Sequence, residues 1–168
     1  MTEDRGRAPL DWSGAAPFPF TRESSLRVDA DGTFWHEGAR VEHPGLARAL
    51  ASWVSRHPDD GRWVLENGWD WCYLTVDDVP LLVRSARVEG ARLVVGLSDG
   101  SEEPLDPATL SVDREGTLRC PVKPGARGGP YPAKLSRHAQ LQLAEHLREG
   151  AGGVVLVVGG REHAVEVA

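Results

Sequence analysis

The chain has 168 residues, 40% hydrophobic and 26% charged, with a formal net charge of −6, the make-up of one globular domain or of two small ones sharing a core. An acidic balance argues against sequence-independent nucleic-acid binding, which needs a basic face, and no apolar run approaches the roughly 20 residues of a membrane span. The opening Met1-Thr2-Glu3-Asp4-Arg5 lacks the apolar core of a signal peptide, and Cys72 and Cys120 have neither metal-type spacing nor a disulfide framework, so a cytoplasmic address is expected.

Residues 1–24 read as an extended tail rich in Gly, Ala, Pro and charge, with Trp12, Phe18 and Phe20 as anchors and Pro17 and Pro19 keeping it extended. Leu26 and Val28 open a strand, Asp31-Gly32 makes a hairpin turn, and Thr33-Phe34-Trp35 returns. Pro44 suits a first helical position, and Leu46, Leu50, Trp53 and Val54 then recur with helical spacing up to a stop near His57-Pro58. Arg62 to Leu65 and Trp71 to Val76 are strands joined around Asn67-Gly68.

A β-meander follows, with strands over 79–88 and 91–97 and a short piece ending at Leu105. Pro104 and Pro107 suit an edge or an exit. At Leu110 a second copy of the opening motif begins. Val112-Asp113-Arg114-Glu115-Gly116-Thr117 echoes Val28-Asp29-Ala30-Asp31-Gly32-Thr33. A Gly/Pro-rich loop is expected over 121–132, then a helix N-capped by Ser136, striped by Ala139, Leu143, Ala144 and Leu147, and ended by Gly150. Gly153 to Val158 is apolar on both faces and reads as a buried strand, turned at Gly159-Gly160 into a last strand over 161–167. The fold class is therefore α+β. Two related hairpin–helix–hairpin halves flank a meander, with an N-terminal repeat over 25–77 and a C-terminal one over 78–168.

No catalytic or phosphate-loop signature is present. His36 with Glu37 could form an acid–base pair, though polar residues on a hairpin lip explain them equally well. The strongest chemical feature is charge segregation. Between Glu115 and Glu145 there is no Asp or Glu, while Arg119, Lys123, Arg127, Lys134 and Arg137 all fall there. These cations crowd the approach to Ser136 at a helix start, where free N–H groups favour phosphate or carboxylate. Gly128 and Gly129 would let a ligand approach the backbone, and Tyr131 would add a stacking or hydroxyl contact. The other reading of the same window is a solvated loop. Trp69 and Trp71, beside a turn, are the aromatic residues most suited to contact a partner.

These pieces resemble a bacterial family designated domain of unknown function 1285. The resemblance runs through Asp31-Gly32-Thr33-Phe34-Trp35-His36-Glu37-Gly38, Leu46 and Leu50, Asp60-Gly61-Arg62-Trp63 and Val76-Asp77-Asp78-Val79-Pro80. It ends with Arg127-Gly128-Gly129 and Ala133-Lys134-Leu135-Ser136-Arg137. It implies a duplicated α+β core, a C-terminal half resembling a pleckstrin-homology fold, and a ligand cleft between the halves for a nucleotide-like molecule, with a role in signal transduction. No activity comes with it.

The resulting expectation is a non-enzymatic module for a small anionic ligand. Arg127, Lys134 and Arg137 hold the anion, Ser136 caps helix and ligand together, and Trp35, His36 and Tyr131 shape the wall. The alternatives are a protein-interaction module using Trp69 and Trp71, and an enzyme using His36 and Glu37 in a closed pocket. No cofactor and no metal are expected.

Overall fold

The computed structural model describes residues 9–14 and 21–168. Phe18, Phe20, Pro17 and Pro19 of the expected tail lie outside the described residues. The architecture is α+β, with two short helices against four sheets among the described residues.

Strands β1 (Arg27–Val28) and β2 (Phe34–His36) form the hairpin expected at Asp31-Gly32, and β3 (Ala39–Arg40) extends it. Asp29 builds the turn. Its Oδ1 accepts the N–H groups of Asp31 and Thr33 at 2.9 and 3.0 Å, and its Oδ2 accepts the Trp35 indole N–H at 2.8 Å. Gly32 sits at φ 78°, where a side chain is strained, and a Cβ there would lie 2.6 Å from Leu82 Cδ1.

Helix α1 (Pro44–Ser52) begins at His43, whose Nδ1 accepts the Leu46 N–H at 3.2 Å. It stops at Trp53, a full turn short of the expected boundary, and Val54 belongs to strand β4 (Val54–Arg56) instead of to the helical stripe. The reason is pairing. Val54, Ser55 and Arg56 lie opposite Leu65, Val64 and Trp63 of β5 (Trp63–Glu66), and this ladder outweighs a local helical preference that is only tenths of a kcal/mol per residue, roughly. β6 (Trp71–Tyr73) completes that sheet, and β7 (Thr75–Val76) then runs parallel to β1.

The meander is β8 (Leu81–Glu89), β9 (Arg92–Leu97) and β10 (Glu102–Leu105). Pro104 lies in β10, at the edge of the sheet. β11 (Ser111–Val112) and β12 (Leu118–Val122) repeat the opening hairpin. Asp113 accepts the N–H groups of Glu115 and Thr117 at 3.0 and 2.9 Å, as Asp29 does.

Both ends of the expected Gly/Pro loop are sheet. Pro121 ends up in β12 and Pro132 in β13 (Tyr131–Leu135), directly opposite one another. Two prolines can face each other only where neither N–H is needed for the ladder. β13 also runs parallel to β8, with Ala133, Lys134 and Leu135 beside Leu81, Leu82 and Val83.

Helix α2 (Arg137–Leu143) is capped by Ser136, as expected, but is only seven residues long. A 3₁₀ turn over Ala144–His146 follows, then β14 (Leu147–Gly150), so Gly150 ends a strand and not the helix. Leu147 to Gly150 are held out of the helix by β15 (Gly153–Val158). β15 is buried only at Leu156 and Val158, because it lies in a three-stranded sheet with β14 and β16 (Arg161–Ala164) that covers one face and leaves Val154 42% exposed. β17 (Glu166–Val167) closes parallel to β11, as β7 closes parallel to β1.

The seven-stranded sheet runs β10-β9-β8-β13-β12-β11-β17. Its core includes Val83, Val95, Leu110 and Val122, with Ala139 and Leu143 of α2 buried in the same cluster. Among the described residues, no helix is long and apolar enough to cross a membrane.

Gly32→Ala should lower stability in urea unfolding by about 1–3 kcal/mol, combining a positive φ with the contact to Leu82. Gly38 has a similar φ of 77° but open space around it, so Gly38→Ala should cost less. Equal losses would show that the Leu82 contact contributes nothing.

Candidate anion-binding groove

The basic window of the sequence is neutralised in the fold by acids from elsewhere. Arg119 donates twice to Asp78, at 2.8 and 3.0 Å, and once to Asp113 Oδ2 at 2.7 Å. Lys134 reaches the same Asp78 at 3.0 Å. Lys123 pairs with Asp99 at 2.7 Å and donates to Ser101 Oγ. Arg127 lies 4.9 Å from the ring centre of Trp12. Of the five cations, only Arg137 has no ion pair or ring contact among the described residues.

Hydrogen bonds from Arg119 hold the Asp78 and Asp113 carboxyls below the ordinary aspartate range, against the opposing effect of burial. Arg119 is correspondingly raised by both carboxylates. Burial pushes the Cys120 thiol up to about 12, which removes it as a nucleophile. Both cysteines are free.

Gly128 and Gly129 do not open toward a ligand. A Cβ at Gly128 would lie 3.0 Å from Arg56 Cδ, and one at Gly129 would lie 2.4 Å from the Lys123 carbonyl oxygen. That space is filled by the protein's own atoms. Arg56 in turn stacks over Trp63, its guanidinium 3.7 Å from the ring centre. Tyr131 is 2% exposed, packs edge-on to Trp63 and donates its hydroxyl to the Arg127 carbonyl at 2.6 Å. It is a core residue, not a ligand wall. Its burial was hidden because the expected loop ran to residue 132, whereas Tyr131–Leu135 is in fact a strand.

Trp35 is held by Asp29, and His36 and Glu37 are exposed at the β2–β3 turn. The enclosure required for acid–base work by that pair is therefore missing. Trp71 is buried, its indole N–H donating to the Asp11 carbonyl at 2.9 Å, whereas Trp69 is 80% exposed. Among the described residues, no group of three His, Cys, Asp or Glu side chains is placed to hold a metal.

What the fold does bring together is the junction of β13 and α2 with the opening hairpin. Lys134, Ser136 and Arg137 line a cavity of about 310 Å³ with Arg84, Thr117 and Asp31. Arg127, Tyr131, Trp35 and His36 do not line it. Ser136 is occupied twice, its Oγ accepting the Ala139 N–H at 3.2 Å and donating to the Arg84 carbonyl at 3.4 Å. It positions the junction.

Arg84 went unnoticed in the sequence, where its one signal is a charge inside the apolar run Leu81 to Ala86. The register between β8 and β9 shifts between Val83 and Ser85, so Arg84 occupies a bulge, a device that re-aims a side chain out of a ladder. It has no carboxylate partner among the described residues. Arg84 also lines a neighbouring cavity of about 350 Å³ with Arg48 of α1 and Ser98. The result is a groove crossed by free guanidinium groups, each able to grip a phosphate or carboxylate by two parallel hydrogen bonds.

Asp78→Asn tests the network behind the groove. Because the folded Asp78 carboxyl lies below the usual 3.8, its contribution is complete above that value and is lost as pH falls through the folded one. Asp78→Asn should therefore cost about 1–3 kcal/mol at neutral pH. The gap to the unmodified protein should close below about pH 4 in acid unfolding curves. A gap that stays constant into acid would remove the charge from the explanation.

Neither family models nor curated proteins match this sequence. Solved structures do. A DUF1285 family protein from Silicibacter pomeroyi DSS-3 superposes with a TM-score of 0.67 at 19% identity, covering 98% of this chain and 90% of that one. A DUF1285 family protein from Shewanella baltica OS155 gives a TM-score of 0.56 at 17% identity, covering 74% of this chain and 94% of the other. The chain has the fold of the DUF1285 family proteins, in agreement with the motifs read along its sequence.

Proposed function

We propose that this protein is a non-enzymatic module that binds a small anion in the groove between its two halves, with Arg84 and Arg137 as the residues that grip it. The observation that carries this reading is the convergence of Arg84 and Arg137, both without carboxylate partners among the described residues, on one cavity. In a chain of net charge −6, whose other basic-window cations are all engaged, such a pair has no structural employment. Lys134, one of whose three N–H groups goes to Asp78, adds positive field beside them. A phosphate, a carboxylate or the phosphates of a nucleotide all fit this chemistry. The cavity around Arg137 offers no aromatic ring for a base.

The recurring Asp29 and Asp113 turns, each followed by a helix and a closing parallel strand, support an internal duplication. The seven-stranded sheet with α2 against β8 supports the pleckstrin-homology-like reading of the second half. Two free thiols suit a cytoplasmic setting. A binding module without catalytic machinery there suits a sensor in signal transduction. A second reading, a protein-interaction module, is favoured by Trp69, 80% exposed on the Asn67-Gly68 turn.

Thermal-shift titration against sulfate, phosphate, pyrophosphate and nucleotides tests the anion reading. A ligand at about 100 times its dissociation constant should stabilise the fold by about 2.7 kcal/mol. Arg84→Ala and Arg137→Ala should each weaken binding roughly tenfold or more. Arg127→Ala, which removes only the contact with Trp12, should leave affinity unchanged. No shift with any anion, or equal losses from all three variants, would overturn the assignment.

A further inference from the structure

On the other side of Arg137 lies a cavity of about 420 Å³, larger than either cavity of the anion groove. It runs between α2, the β11–β12 hairpin and β15. Its lining is apolar apart from Arg137 and Gln140. The Gln140 side-chain oxygen is already taken by the Leu118 N–H at 2.8 Å. Arg137 is the charged group on this rim, and it has no ion pair among the described residues.

Two apolar side chains stand bare on its walls. Leu141 of α2 is 68% exposed and Val154 of β15 is 42% exposed. Val154 shares a strand face with Leu156 and Val158, both buried. That face is covered along its length and uncovered where it meets the cavity. A space of several hundred Å³ with an apolar lining and very few polar groups is the common form of a small-ligand site. Here its single unpaired charge is also the charge that closes the anion groove.

We infer that the anion held by Arg137 is the head of a single-chain amphiphile, a free fatty acid, whose hydrocarbon chain lies along Leu141 and Val154. This rests on the anion reading and adds the chain. The carboxylate sits at Arg137, and each methylene withdrawn from water into the cavity adds to affinity until the space is filled.

Isothermal titration of the full chain with hexanoate, octanoate and decanoate, and in parallel with inorganic phosphate and decanol, tests it. Affinity should rise about three- to fourfold per added methylene. Arg137→Ala should weaken decanoate and phosphate together. Leu141→Gln combined with Val154→Thr changes only exposed side chains, and should flatten the chain-length dependence while phosphate binding persists. Phosphate binding with no dependence on chain length would overturn this inference and leave the anion reading standing. Decanol binding as tightly as decanoate would overturn the assignment of the head to Arg137. Failure of every fatty acid would overturn the inference, and the phosphate titration would then decide the anion reading separately. A concentration-dependent dimer abolished by Leu141→Glu would give the face to a second copy of the chain and overturn the lipid.

Discussion

Asp78 is the residue on which the seating of β12 and β13 beside the opening hairpin sheet depends. Arg119 of β12 and Lys134 of β13 lie directly opposite each other, and like charges in that position destabilise a sheet. Asp78 follows β7, the strand that pairs parallel with β1. It accepts from Arg119 at 2.8 and 3.0 Å and from Lys134 at 3.0 Å. The repulsion between the two strands thereby becomes a clamp on the connection between β7 and β8. Its members are only 16–30% exposed, so water screens the clamp less than it would a surface pair. β13 is held between β8 and β12 by the same stroke, and Ser136 and Arg137 follow it directly.

The clamp explains why a strongly basic stretch of sequence is electrically quiet in the fold. Asp78, Asp99 and Asp113 come from three separate turns and engage Arg119, Lys123 and Lys134. Arg127 goes to an aromatic ring. Arg137 is left over, and the bulge in β8 sends Arg84 to the same cavity. A composition window counts charges but not the acids that fold onto them. The surviving pair is informative because so much else has been cancelled.

Local chemistry was legible and long-range pairing was not. Asp31-Gly32, Asn67-Gly68 and Ser136 announce their turns and cap through positive φ or a side-chain acceptor, and each is found where those residues put it. β13 was invisible because Pro132 and the Gly/Pro stretch before it look like loop, while its partner β8 lies far upstream. Val54 fits a helical stripe as well as a strand, and only the ladder with Leu65 decides. Tyr131, offered as a ligand wall, disappeared into the core for the same reason, since its strand was not seen. Of the expected site residues, Lys134, Ser136 and Arg137 do meet in one cavity, because they are neighbours in sequence at a correctly read helix start. Arg84 could join them only through the sheet.

The two aspartate turns show how one position tunes this geometry. Asp29 and Asp113 make the same bonds to the backbone, and each then offers Oδ2 to the side chain six residues on. In the first half that side chain is Trp35, whose single N–H ends the interaction there. In the second half it is Arg119, whose guanidinium satisfies Asp113 with Nε and still has two nitrogens for Asp78. An indole closes its own turn, whereas a guanidinium passes the constraint on to the connection between β7 and β8. The groove opens where the two turns come closest to a common space, with Asp31 of one and Thr117 of the other on its walls. Its position thus follows from a difference between two otherwise matching hairpins, and the free arginines at its edge are set by the sheet that this difference holds in place.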